Sequence, residues 1–250
     1  MSGMKRRIDQ LLVDRGFAET RHKAQGLLLA GQVLVGNEKV EKPGQMVDPE
    51  SGIRILQHQA FASRAGAKLE AALDHFGISV AGRACADLGA STGGFTDCLL
   101  QRGALRVHAF DVGRGQLAWK LRSDPRVIVR DRCNVRELKS ADLPEVTFVS
   151  IDLSFISVRK VLPALKEALS GRAADIVVLV KPQFEVGKGE VGKGGIVRDE
   201  AKRRRALEEV AEFALRAGFR VAGRIESPVP GAAGNREFLL YLELPIGLLS

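Results

Sequence analysis

The sequence has no long hydrophobic run and never reaches the roughly 18 consecutive apolar residues that a membrane-spanning helix needs. The charged start, residues 1–7, is not followed by the apolar segment of a secretion signal. Cysteine is scarce: there are 3 residues, widely spaced and without a C-x-x-C pair, and the 4 histidines lack metal-ligand spacing. We therefore expect reduced thiols, no metal site, no membrane partner and a cytoplasmic location.

Acidic residues are fewer than basic ones. The chain of 250 residues has 30 Asp and Glu against 38 Lys and Arg, which gives a net charge of +8. A polyanion is therefore an expected partner. Charge alone, however, does not distinguish a protein that binds a polyanion from a soluble protein that is merely basic. With 45% hydrophobic residues, the chain can build one large domain or two smaller ones.

A glycine-rich turn after a short apolar run is the most informative motif. The run at 83–86 leads into Asp87, and a helix-compatible segment follows at 95–102. This order is typical of a nucleotide-type ligand site at the edge of a parallel sheet. The spacing Gly89-x-x-x-Gly93-Gly94 differs from the G-x-G-x-x-G of dinucleotide binders and favours S-adenosyl-L-methionine, a cationic ligand that suits a carboxylate. The alternative is a plain structural turn. The candidate cofactor-binding residues here are Asp87, Gly89, Ser91, Gly93 and Gly94.

A second acidic residue strengthens this prediction. The β-prone segment 105–110 ends in Asp111, about 20 residues after the turn, where a carboxylate binds ribose hydroxyls in nucleotide-binding α/β folds. The alternative for Asp111 is a turn residue before Gly113. Together the two features predict a site for a nucleoside-containing cofactor.

Apolar strands alternate with helical segments over most of the chain. We predict strands at 84–88, 105–110, 126–129, 146–151, 174–180, 219–226 and 238–244. The last two have no room for a crossover helix between them, so they must be antiparallel neighbours. The predicted fold class is α/β: a Rossmann-like, seven-stranded sheet of the SAM-dependent methyltransferase type, with a small N-terminal α+β domain. The expected domains are residues 1–57, a linker and leading helix at 58–82, and residues 83–250, with an irregular stretch at 183–198.

Residues 1–57 form the small module in this prediction. Two helices are expected, the first ending at Gly16 and the second capped by Thr20, followed by a hairpin at Gly36-Asn37 and a strand at 53–56. The basic residues form either an RNA-binding face or a solvated mixed-charge surface. The candidate RNA-binding residues are Arg6, Arg7, Arg15, Arg21, Lys23 and Arg64. The pattern of residues 7–16, 20–24, 30–35 and 42–44 closely resembles the alpha-L RNA-binding motif of small-subunit ribosomal protein four, which implies phosphate and shape contacts with structured RNA.

Charged residues stand at the edge where the predicted sheet should bind its ligand. Asp152 and Lys181 each follow a buried strand, and Glu237 precedes the antiparallel last strand, so all three emerge at one edge. Lys68, on a helix expected at 63–76, can reach them. Methyl transfer to an alcohol needs an in-line nucleophile and a group that takes its proton. Lys181, positioned by Asp152, either accepts that proton or orients the hydroxyl. Lys68 with Glu237 would fix the substrate ribose, unless these residues are ordinary strand ends that reach water.

Sequence runs over nearly the whole chain resemble one family, the hemolysin-A or TlyA-type ribosomal RNA 2′-O-methyltransferases, which join an FtsJ-like methyltransferase domain to an alpha-L domain. The matching runs are 63–69, 87–95, 111–117, 134–136, 152–157, 181–185 and 234–237. The resemblance implies S-adenosyl-L-methionine as cofactor, ribosomal RNA or a ribosomal subunit as partner, and a ribose 2′-hydroxyl, of a cytidine, as target. No protein partner is evident. The resemblance implies the catalytic set Lys68, Asp152, Lys181 and Glu237, and it adds Val112 and Asn134 to the cofactor contacts.

The junction departs from the family pattern, since this chain has Phe61-Ala62-Ser63-Arg64 where relatives often carry Tyr or Trp before Val-Ser-Arg. Two other functions stay open: a catalytically silent RNA-binding ribosome assembly factor, and a membrane-active hemolysin, which the lack of a long apolar segment disfavours. The basic run 202–205 opens a predicted helix after Asp199 and either extends an RNA footprint or is simply solvated.

Overall fold

The computed structural model of the chain describes residues 5–29, 31–55, 60–187, 189–231 and 233–246. The chain divides into two compact units, with the boundary between Gln59 and Ala60. The last position of the strand predicted at 53–56 and the first two positions of the linker predicted at 58–82 lie outside the described residues.

The first unit contains two helices and short strands: β1 Arg6–Arg7, α1 Ile8–Asp14, α2 Arg21–Leu29, β2 Val33–Val35, β3 Glu38–Val40, β4 Met46–Val47 and β5 Ile53–Ile55. Turn residues set the ends of these elements as predicted. Gly16 follows α1 with a left-handed φ of +75°, and Thr20 Oγ1 accepts a hydrogen bond of 3.2 Å from the Lys23 amide in the first turn of α2. Gly36, with φ of +62°, turns the hairpin between β2 and β3.

The second unit is built on the strands β6 Ala84–Leu88, β7 Arg106–Asp111, β8 Val127–Asp131, β9 Val146–Ile151, β10 Ala174–Val180, β11 Arg220–Glu226 and β12 Phe238–Leu244. They form one sheet in the order β11-β12-β10-β9-β6-β7-β8. The strands from β10 to β8 in this order pair in parallel. Strand β12 lies antiparallel between β10 and β11. The predicted fold class and the antiparallel final pair are therefore confirmed.

Helices cover both faces of this sheet: α3 Ala65–Phe76, α4 Gly94–Gln101, α5 Trp119–Arg122, α6 Leu162–Ala168, α7 Pro182–Glu185 and α8 Glu200–Arg216. Alternate residues of β10 enter two separate cores, as the two-residue period of a strand requires. Ile176 and Val178 pack in the core that includes residues of α6 and α8. Val177 and Leu179 pack with residues of α3 and α4. Because both faces are buried, the strand reads as one continuous apolar run.

The described part of the stretch 183–198, which was predicted to be irregular, contains two short helical segments. Its start lies within α7, since Pro182 at the first helical position is already restrained to helical φ. Residues Lys193–Gly195 then form a 3₁₀ turn. The helix predicted after Asp199 is present, and the Asp199 carboxylate accepts a hydrogen bond of 2.8 Å from the Ala201 amide. The three cysteines are free thiols.

Candidate active site

The strand register brings the predicted strand-end residues to one edge of the sheet. Val180, the last residue of β10, pairs with Phe238, the first residue of β12. Lys181 comes directly after Val180 and Glu237 directly before Phe238, so the two residues are neighbours at the same edge of the sheet. Asp152 follows β9, and its amide donates a hydrogen bond of 3.0 Å to the Leu88 carbonyl at the end of β6. Because neighbouring strands lie about 4.8 Å apart, three of the four predicted catalytic residues share one edge on adjacent strands.

The four predicted catalytic side chains form two ion pairs. Lys68 Nζ lies 2.5 Å from Glu237 Oε2, and these side chains are 8% and 2% exposed. Lys181 Nζ lies 2.5 Å from Asp152 Oδ1, with side chains 13% and 16% exposed. Breaking a pair of this kind is costly because the remaining charge stays buried without a partner. The sequence groups Lys181 with Asp152 and Lys68 with Glu237, and the structure shows the same two pairs.

The Lys181–Asp152 pair retains hydrogen-bonding capacity. Lys181 Nζ also donates a hydrogen bond of 3.1 Å to Ser154 Oγ. Asp152 Oδ1 is buried and, despite its short contact with Lys181, has no partner of hydrogen-bond geometry among the described residues. We take the 2.5 Å contact as an ion pair whose angle does not suit a hydrogen bond. Lys181 Nζ is thus a hydrogen-bond donor beside a carboxylate oxygen that can still accept a hydrogen bond.

A cavity of about 320 Å³ opens beside this edge. Five of the predicted cofactor-binding residues line it, namely Gly89, Ser91, Asp111, Val112 and Asn134. Gly94 instead lines a smaller cavity of about 90 Å³, which shares Gly89, Ser91 and Asp152 with the larger one. Sequence reasoning missed the segment 153–156 and Gln116 in the larger cavity, although the segment lies inside the motif that begins at Asp152.

The cavity wall suits a nucleoside with a charged tail. Asp111 accepts one hydrogen bond from the Ser91 amide at 2.8 Å and one from the Gly113 amide at 2.7 Å. Each carboxylate oxygen therefore keeps a free lone pair for a ribose hydroxyl. Gly89 has φ of +93°, and a Cβ there would lie 2.2 Å from the Asp152 carbonyl oxygen. Only glycine fits this approach of the two strand ends, which leaves room for a ligand beside them.

Asp87 was expected to face the ligand, but its carboxylate is buried beneath the glycine-rich turn. It is fully buried and accepts hydrogen bonds from Thr96 Oγ1 at 2.7 Å and Ser150 Oγ at 3.1 Å. Burial raises the pKa of Asp87 to about 7, with the Asp152 charge as a further cause. Neither cavity includes Asp87 or Gly93, since Gly93 packs against Leu121. The predicted contact of Asp87 with a cationic ligand stays a prediction, and the structure gives this residue a hydrogen-bonding role beneath the turn.

Replacing Asp87 with asparagine is expected to raise stability at alkaline pH relative to wild type. The folded chain keeps the Asp87 proton up to about pH 7, whereas an unfolded chain loses it near pH 4. The folded state therefore binds more protons between these values, and the free energy of unfolding falls as pH rises through this window. Urea unfolding of wild type and Asp87→Asn at about pH 5 and about pH 8 measures the difference. A stability difference that is the same at both pH values would contradict a buried protonated carboxyl.

Phe155 is a large exposed apolar residue at the cavity. Its side chain is 92% exposed, it lines the larger cavity, and its ring centroid lies 5.2 Å from that of Phe184. Its φ of +66° is in the left-handed region that non-glycine residues rarely adopt. Backbone strain of this kind concentrates at ligand sites. The local sequence does not predict this left-handed conformation or the exposure of the ring, because a phenylalanine among apolar residues is normally expected to be buried.

Glu185 ties the segment after Lys181 to the segment that carries Phe155. Its carboxylate, only 4% exposed, accepts hydrogen bonds from the Val158 amide at 2.7 Å and from Ser157 Oγ at 2.6 Å. Burial raises the pKa of Glu185, while these two donors oppose the rise. The two loops that follow Asp152 and Lys181 are thus held together by one buried side chain.

The predicted RNA-binding cations of the first unit are largely engaged within that unit. Asp9 is fully buried and forms ion pairs with Arg7 at 3.0 Å and Arg21 at 2.9 Å. The hydrogen bond from Arg7 holds the pKa of Asp9 well below its usual range. The other three also have internal partners: Arg6 pairs with Asp14, Lys23 with Glu19, and Arg15 donates to the backbone at Pro49 and Ser51. Arg64, the sixth candidate, is exposed and belongs to the second unit.

The fold and the edge cavity together define a Rossmann-like methyltransferase. The sequence profile of FtsJ-like methyltransferases matches residues 61–244, and that of the S4 domain matches residues 6–53. The chain belongs to the FtsJ-like methyltransferase family and, within it, to the group of S4-containing TlyA proteins. Among the described residues, no helix combines the length and apolar character needed to cross a bilayer.

Relatives match over nearly their full lengths. The 16S/23S rRNA (cytidine-2′-O)-methyltransferase TlyA of Mycobacterium tuberculosis is 49% identical over 94% of this chain and 89% of its own. Hemolysin A of Brachyspira hyodysenteriae is 41% identical over 94% of this chain and 98% of its own. A solved structure from Streptococcus thermophilus, described as a candidate hemolysin, is 43% identical with a TM-score of 0.73, covering 96% of this chain and 89% of its own.

Proposed function

We propose that this protein transfers a methyl group from S-adenosyl-L-methionine to a ribose 2′-hydroxyl of ribosomal RNA, at a cytidine. The observation that carries the proposal is the presence of two buried lysine–carboxylate pairs on the edge that holds the Gly89–Asp111 cavity. The curated function of the Mycobacterium tuberculosis relative supports the same substrate. Residues 1–57 dock the RNA in this proposal, residues 83–250 carry the chemistry, and residues 58–82 connect them. In this proposal the protein acts in the cytoplasm on ribosomal RNA or a ribosomal subunit, and not at a membrane.

The cavity residues hold the cofactor in this proposal. Asp111 would accept hydrogen bonds from the ribose hydroxyls of the cofactor. Gly89, Ser91, Val112 and Asn134 would line the rest of its site. Gly93 and Gly94 keep the turn compact. When bound, S-adenosyl-L-methionine supplies a methyl group on a positively charged sulfur.

The lysine–carboxylate pairs position the nucleophile and the ribose that carries it. Lys181 Nζ would donate a hydrogen bond to the substrate 2′-oxygen and hold it in position for methyl transfer. Held by Asp152, Lys181 either accepts the hydroxyl proton or orients the hydroxyl while loss of that proton accompanies or follows methyl transfer. Lys68 and Glu237 provide a donor and an acceptor for the remaining ribose hydroxyl.

Replacing Phe155 with alanine is expected to raise the KM for RNA about tenfold, because an exposed ring at the cavity offers a stacking surface for a base. The unfolding temperature should stay near wild type, since the side chain is 92% exposed. Steady-state kinetics with RNA varied and thermal unfolding measure the two expectations. Leu215→Ala removes an exposed apolar side chain at the end of α8 and is the matched control. Equal KM values for the two variants would remove Phe155 from the substrate site.

Transfer of a radiolabelled methyl group to purified ribosomal RNA tests the proposed function directly. We expect label in RNA, and ribose-methylation mapping from cells with and without the protein should reveal a missing 2′-O-methyl group. RNA binding without label would instead indicate a silent assembly factor. Because one relative is named hemolysin A, leakage of dye-filled liposomes at physiological salt is the corresponding test for a lysin. Leakage together with absent methyl transfer would overturn the proposal.

A further inference from the structure

The positive charge of the chain is concentrated in one segment of the methyltransferase unit. Residues 102–139 contain ten Lys and Arg against four Asp and Glu, a net charge of +6 within a chain of net charge +8. Residues 5–55, by contrast, contain nine against seven, a net charge of +2. The predicted RNA-binding cations of the first unit are also paired internally. A long polyanion therefore meets more free positive charge on the second unit than on the first.

Part of this segment folds against the cofactor turn. The Ala118 amide donates a hydrogen bond of 3.2 Å to the Thr92 carbonyl. A Cβ added at Gly93 would come within 2.2 Å of Leu121, so the inner side of α5 packs directly on the turn. Trp119 is left 79% exposed on the same helix, and Lys120 beside it is exposed as well. A large aromatic ring and a cation thus face solvent next to the cofactor site.

Arg114 and Arg132 lie on two segments that are hydrogen-bonded to each other and connected to α5. The amide of Arg132 donates a hydrogen bond of 3.0 Å to the carbonyl of Gly113, the residue before Arg114. Asp131 accepts from the Gly115 amide at 3.2 Å and pairs with Arg122 of α5, so one carboxylate links the turn to the helix. Arg114, Lys120 and Arg132 themselves are exposed and have no carboxylate partner within the described ranges.

We propose that these groups form a second RNA-binding surface, which holds phosphates and stacks one base of the substrate strand beside the cofactor cavity. The surface, here called the α5 surface, comprises Arg114, Trp119, Lys120 and Arg132. Cations that follow a backbone together with an aromatic platform for a base are the usual composition of a single-strand binding site. The inference rests on the proposed function and adds that the methyltransferase unit itself binds the strand that it modifies.

The single tryptophan of the chain makes this surface directly observable, since intrinsic tryptophan fluorescence reports on Trp119 alone. Titration with deproteinised ribosomal RNA, with S-adenosylhomocysteine present throughout, should quench the emission and protect it from acrylamide. Filter binding in the same buffer measures total RNA binding. RNA binding that leaves both the emission and the acrylamide quenching unchanged would overturn the proposal.

A triple variant tests the cations. Arg114→Ala, Lys120→Ala and Arg132→Ala together should weaken RNA binding about tenfold and lower the slope of log affinity against log salt by about two to three. The control triple Lys166→Ala, Arg216→Ala and Arg220→Ala removes the same charge at the opposite edge of the sheet, near the ends of α6 and α8 and the start of β11. It should leave the slope unchanged. Equal effects of the two triples would show that only net charge matters and would reject the α5 surface.

The outcomes separate this inference from the proposed function. Wild-type protein that methylates RNA while both triples bind alike rejects the α5 surface only. Wild-type protein that neither binds nor methylates ribosomal RNA rejects the proposed function. In both triples the cofactor affinity should equal that of wild type, because none of the six side chains lines either cavity.

Discussion

Replacing Lys181 with methionine is expected to lower methyl transfer to RNA by about 10²- to 10⁴-fold, because the 2′-oxygen loses the ammonium that orients it and the route for its proton. Single-turnover transfer of a radiolabelled methyl group measures this rate. RNA affinity should stay near wild type, because the side chain is only 13% exposed and offers little surface to a docked strand. Lys166→Met, at an exposed site on α6, is the control and should keep full activity.

Lys181→Arg distinguishes the two roles of this residue. A guanidinium keeps the positive charge beside Asp152 but does not give up its proton. Recovery of most of the activity would assign Lys181 to orientation of the hydroxyl, whereas a loss as deep as that of methionine would assign it to proton transfer. Joint loss of RNA binding and methylation in Lys181→Met would contradict the assignment of this residue to the chemical step.

The second large effect is expected from Lys68→Met, which leaves the Glu237 carboxylate buried without its partner. The side chains are 8% and 2% exposed, so the variant should lose about 3–5 kcal/mol of unfolding free energy. Methylation should also fall, since the pair is proposed to hold the substrate ribose. Urea unfolding followed by circular dichroism measures the first effect, and methyl transfer at a temperature where the variant is folded measures the second.

A double variant separates folding from catalysis at this pair. Lys68→Met with Glu237→Leu removes both charges and replaces them with apolar side chains, which is often neutral or stabilising by about 1–4 kcal/mol for buried pairs. We expect stability to return while methylation stays low. Return of both would show that the pair is only structural, and the proposed ribose contacts would then be wrong.

The fold was readable from the sequence because its central strands β6, β9 and β10 are buried on both faces and the first residues after β9 and β10 are charged. The strand-end rule placed Asp152, Lys181 and Glu237 at one edge without any knowledge of distances. The distances and the burial of the two lysine–carboxylate pairs were beyond this reasoning, since they depend on how far each side chain reaches from its strand or helix. The contact of β1 with β4 involves two residues on each side, which is too short for a periodic pattern.

The orientation of Asp87 was not predictable for a related reason. A strand buried on both faces gives no pattern that says whether its last carboxylate turns toward the cavity or the core. The outcome depends on Thr96 and Ser150, which lie on different elements. The α5 surface, in contrast, could have been found from the sequence. The net charge counted segment by segment is highest over residues 102–139.

The position of β12 has a consequence for biosynthesis. Strand β11 leaves the ribosome before β12 but has β12 as its sheet neighbour, and β12 also completes β10. During translation, β11 therefore has no strand partner, and Lys68 has no carboxylate partner, until residues 237–244 have been synthesised. A nascent chain that stops short of this segment holds most of the cofactor cavity but lacks Glu237, so folding of the last strand and assembly of the full active site coincide in time.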